Sequence, residues 1–77
     1  MITLRNIRTV DGHILCEAFP EDCTVPVHMD VEAETKTLAP LVLPDGYAWC
    51  KTHIRMAKNY LLANAGSLPQ VHIIMWY

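Results

Sequence analysis

Between Thr24 and Glu34 the chain alternates without a break: Val25, Val27, Met29, Val31 and Ala33 fall on one side, and Thr24, Pro26, His28, Asp30, Glu32 and Glu34 on the other. A period of two is the signature of a strand with one buried face, because successive side chains point to opposite sides of a sheet. The chain must therefore build a sheet that is covered on one face and solvated on the other. Pro26 cannot donate to a ladder, so this strand starts near it or lies at an edge.

A second strand pair is announced by Asp11-Gly12, the dipeptide that suits a two-residue type I′ hairpin turn. Strands over Ile2 to Val10 and His13 to Ala18 follow. With Asp11 and Gly12 as the turn, Val10 faces His13, Thr9 faces Ile14 and Ile7 faces Cys16. Ile7, Ile14, Cys16 and Ala18 then share the core side. Phe19 to Cys23 reads as a turn with a proline, and Leu41-Val42-Leu43 is a short apolar run bracketed by Pro40 and Pro44.

Asp45 as N-cap and Gly66 as the residue past the end, with Pro69 beyond, bound a helix over Tyr47 to Ala65. The last run, Val71 to Tyr77, is β-branched and aromatic and reads as a strand. It is apolar on both faces, a pattern typical of strands in the middle of a sheet. The expected order is β-β-β-(β)-α-β in one α+β domain over residues 1–77, with a mainly antiparallel sheet of four or five strands and one long helix on one face.

On a helical wheel, Trp49, Cys50, His53, Ile54, Met56, Ala57, Tyr60, Leu61, Ala63 and Ala65 fill an arc of about 200°, whereas packing on one sheet needs about 100°. Either the Leu38 to Leu43 segment folds over the surplus, or another chain covers it. A 77-residue chain also has a small core, burying about 60% of its unfolded surface, so a partner would add to it. The second alternative predicts a homodimer anchored by Trp49, Met56, Tyr60, Ile74 and Trp76, residue types enriched at the centres of interfaces.

Other chemistry is thinner. Cys23, His28, Cys50 and His53 could supply four zinc ligands if the third strand starts beside the helix, but no CxxC knuckle accompanies them. Cys50 and His53 are one helical turn apart, without a nucleophile elbow or an orienting carboxylate at a recognisable spacing. All eight acids lie within residues 11–45, while residues 46–77 hold only the cations Lys51, Arg55 and Lys58. That stripe is a candidate phosphate contact for nucleic acid, on a chain whose net charge is −2. Phosphate-loop, dinucleotide, zinc-protease and EF-hand motifs are absent from the sequence. The three cysteines leave an odd thiol, and the first residues lack the pattern of a secretory signal, which points to a reducing, cytoplasmic setting.

The sequence thus reads as a small, non-enzymatic, self-associating interaction module or regulatory accessory protein without a cofactor. A nucleic-acid accessory protein and a zinc-stabilised domain are the alternatives.

Overall fold

The computed structural model describes residues 1–76. Five strands, β1 (Ile2–Val10), β2 (His13–Pro20), β3 (Val27–Glu32), β4 (Thr37–Leu38) and β5 (His72–Ile74), form an antiparallel sheet in the order β4-β3-β2-β1-β5. One helix, α1 (Lys51–Ala63), lies across one face. This is the expected two-layer α+β arrangement.

The hairpin turn is where the dipeptide places it. Asp11 and Gly12 both have positive φ, 50° and 79°, as a type I′ turn requires, and Val10 pairs with His13 and Thr9 with Ile14. Between Arg5 and Arg8 the register shifts, and Asn6 takes a φ of 55°. That bulge resolves a conflict in the sequence. Simple alternation would send Ile2 and Leu4 to the opposite face from Ile7. One extra residue in β1 lets all three reach the core, and asparagine tolerates the left-handed conformation better than its neighbours would.

The core is the layer between sheet and helix. Ile2, Leu4, Ile7, Ile14, Cys16, Ala18, Val27, Met29 and Val31 from the strands meet Ile54, Ala57 and Leu61 from α1. The regular part of the third strand begins only after Pro26 and stops at Glu32, so Val25 before it is exposed and Ala33 beyond it is half-buried. Burial raises the Cys16 thiol to about 11, which keeps it protonated and inert in the core.

Three expectations are corrected. The helix is shorter than Tyr47 to Ala65, because Asp45 and Gly46 form a turn in which Gly46 has a φ of 85° and the Tyr47 amide donates to the Pro44 carbonyl at 3.0 Å. Cys50, not Asp45, is the N-cap, and at the other end Asn64 caps the helix by donating Nδ2 to the Tyr60 carbonyl at 2.9 Å. The turn expected over Phe19 to Cys23 starts later, since β2 continues to Pro20. The last strand lies at the sheet edge beside β1, not in its middle. The final residue of the expected strand, Tyr77, lies outside the described residues.

The face away from the helix carries Arg5, Arg8, Leu15, Glu17, Phe19, His28, Asp30 and Glu32. On it, His13 Nδ1 donates to Asp30 Oδ1 at 2.7 Å. The bond to Asp30 and that residue's charge raise the His13 pKa above 6.5. A raised histidine stabilises the fold below its unfolded pKa, and the contribution fades as pH rises through the folded value. In an NMR titration of the ring, Asp30→Asn is therefore expected to move His13 back toward its ordinary midpoint; an unmoved midpoint would refute the pairing. Among the described residues no helix is long and apolar enough to cross a membrane.

Candidate interaction surface

The surplus apolar arc of the helix is only half covered by the chain itself. On one flank, Leu38, Leu41 and Leu43 pack against the core, and Leu41, Val42, Leu43, Ala48, Lys51 and Ile54 line a shallow groove of about 340 Å³. The middle segment thus closes over the Ile54 side without pairing as a strand at 41–43. On the other flank Tyr60 stacks on His72 of β5, Trp49 meets the His53 ring and Met56 is half-buried.

The exposed apolar residues near this edge are divided between its two sides: His72 and Ile74 share the helix side with Tyr60, whereas Ile73 faces the open side of the sheet. Trp49 is 64% exposed, Val71 55%, Ile73 52%, Met75 64% and Trp76 36%. Of the expected interface anchors, Met56, Tyr60 and Ile74 are half-buried, with Tyr60 and Ile74 resting on the core. The Tyr60 ring stacks on His72 at 4.0 Å with an interplanar angle of 3°, which ties α1 to the edge strand. No Asp, Glu, Lys or Arg occurs from Asn59 to the end of the chain. Of the five candidate anchors, Tyr60 meets β5 through His72, Ile74 belongs to β5, and Trp49 and Trp76 both meet the His53 ring.

Beneath this rim runs a polar seam for which the sequence holds no local signal. Glu21, at a φ of 51° just past β2, accepts from His53 Nε2 at 2.7 Å and from the Met1 amine at 2.6 Å. The His53 ring is met edge-on by Trp49 at 5.3 Å and by Trp76 at 4.7 Å between centroids. Its Nδ1 is buried without a hydrogen-bond partner among the described residues. One residue on, Asp22 accepts from the Tyr47 hydroxyl at 2.8 Å, a bond that together with burial raises that phenol to about 12. Glu21 thus holds the first turn of α1, and Asp22 holds the turn at Tyr47 that precedes it. Glu21 and His53 are 32 positions apart, and no spacing rule links them.

The other candidates are placed differently. His28 projects from the open sheet face, where it pairs with Glu17 in register, while Cys23, Cys50 and His53 are buried. The Cys23 thiol donates to the Val25 carbonyl at 3.3 Å. Among the described residues no three His, Cys, Asp or Glu side chains are grouped to hold a metal ion. Burial, followed by the nearby Glu21 and Cys23, raises the Cys50 thiol, which opposes the thiolate a nucleophile needs. Lys51 and Arg55 are exposed and Lys58 half-buried, and Lys51 also lines the groove beside Leu41, Val42 and Leu43.

Compared with protein-family models, curated proteins and solved structures, the chain gives no significant match.

Proposed function

We propose that the protein is a non-enzymatic interaction module that binds by accepting a strand along the β5 edge, with Trp49, Met56 and Tyr60 as an apolar shoulder above it. The observation that carries this reading is an unguarded edge. A terminal strand of a sheet presents unpaired backbone groups, and folded proteins normally blunt such edges with charges, prolines, bulges or a covering segment. The β4 edge follows that rule: it is two residues long, preceded by Glu34 and Lys36, and followed by Pro40. The β5 edge is also short, but it lacks all charge and exposes Val71, Ile73 and Met75. Strand addition takes affinity from backbone bonds and selectivity from alternate side chains, which suits an apolar, uncharged partner segment. The expected self-association and an accessory, regulatory role both fall on this surface, and three reduced thiols suit a cytoplasmic protein.

A short uncharged peptide alternating isoleucine and threonine, titrated into dilute protein, is expected to change the fluorescence of Trp49 and Trp76 saturably. Ile73→Lys is expected to abolish the change while leaving the circular dichroism spectrum intact. Protein that responds neither to such a peptide nor to its own concentration would refute the reading.

A further inference from the structure

We infer that the occupant of the β5 edge is the same edge of a second copy, the two strands pairing antiparallel about a two-fold axis that passes beside Ile73. The inference rests on the strand-docking reading and names its partner. Pairing centred on Ile73 sets Ile73 opposite its own counterpart, Val71 opposite Met75 of the second copy, and His72 opposite Ile74. No carboxylate or ammonium is brought near a like charge, since the chain is free of both from Asn59 onward. The edge strand therefore carries what its own surface accepts: an apolar, uncharged segment.

Symmetry adds a second match. Antiparallel pairing of identical strands in one sheet puts the two-fold axis perpendicular to that sheet, so both helices lie on the same side. The order β4-β3-β2-β1-β5 is then continued by the reverse order in the other copy. In each copy Tyr60 is stacked on His72 of the edge strand, so the two Tyr60 rings both stand over the paired edges. One operation thus pairs the unguarded edge and sets the two Tyr60–His72 stacks on the same side of the joined sheet.

The test is light scattering on the full chain, together with two variants. The expected particle contains two chains of 8.7 kDa, and Ile73→Lys, which would set two ammonium groups side by side, is expected to give a folded monomer. Ile73→Cys is expected to form an intermolecular disulfide on mild oxidation, whereas Val10→Cys, exposed at the hairpin tip, is not; Cys16, Cys23 and Cys50 are buried and stay out of the reaction. If Ile73→Lys fails to fold, the cysteine result decides. A dimer that survives Ile73→Lys and is not linked through Ile73→Cys would overturn this pairing. A monomer that still binds the isoleucine and threonine peptide would overturn self-pairing and leave strand docking in place. A monomer that ignores the peptide would remove both.

Discussion

Leu61→Ala is expected to destabilise the protein by about 3 kcal/mol, the middle of the range for emptying a buried leucine site. Leu61 is fully buried against the sheet, and with Ile54 and Ala57 it forms the helix's share of the core. The N-cap residue, Cys50, makes no side-chain capping bond, no acid occupies the first turn, and no base occupies the last. At 13 residues the helix is also too short to persist alone in water. Packing must therefore supply most of its stability. For 77 residues the total is on the order of 4–12 kcal/mol, so the loss takes a large part of it. In thermal melts followed by circular dichroism the midpoint is expected to fall by roughly 12–24 °C, at about 4–8 °C per kcal/mol for a domain of this size. Leu62→Ala, one residue on and only half-buried, is the comparison and is expected to cost well under half as much. Both must be melted at one protein concentration, because self-association would itself raise the midpoint. Equal effects of the two substitutions would mean that the sheet does not hold the helix through this face.

The strands were legible because a period of two survives in any window, and the Asp11-Gly12 turn phases two of them at once. What alternation missed is the bulge at Asn6, where the chain breaks its own period so that Ile2, Leu4 and Ile7 all reach the core. Local cap signals misplaced the helix start for a different reason. Asp45 has the right chemistry for an N-cap, but Pro44 and Gly46 commit it to a turn, and the chain needs four more residues before α1 begins. The terminal strand read as central because it is apolar on both faces. In the fold one face meets α1 through His72 and Ile74, and the other, through Ile73, is left to solvent. The width of the helix arc correctly signalled more apolar surface than one sheet covers, yet a wheel cannot say which flank the Leu38 to Leu43 segment would take. The seam from Glu21 to His53 was invisible, since it depends on the turn after β2 meeting the start of α1.

That seam yields an ordering of effects that ordinary contact loss would not. Glu21→Ala is expected to cost about 2–3 kcal/mol, because it removes the acceptor from a histidine whose side chain is only 8% exposed. The backbone strain at this position is shared by glutamate and alanine, so it cancels in the comparison. Among the described residues His53 Nδ1 already lacks a partner, and after the substitution Nε2 would lack one too. His53→Leu deletes the same bond from the other side and is expected to cost less. It removes both buried ring nitrogens along with the bond, and it leaves Glu21, 26% exposed, within reach of water and still beside the Met1 amine. What it forfeits is the pair of edge contacts with Trp49 and Trp76, of about 0.5–1.5 kcal/mol each at most, partly restored by the leucine. Glu21→Gln should fall between them, keeping an acceptor oxygen without the charge. Urea unfolding of the three variants measures the order directly. If His53→Leu proves the most damaging, the imidazole acts through its packing between two tryptophans, and the carboxylate is incidental to how α1 is anchored.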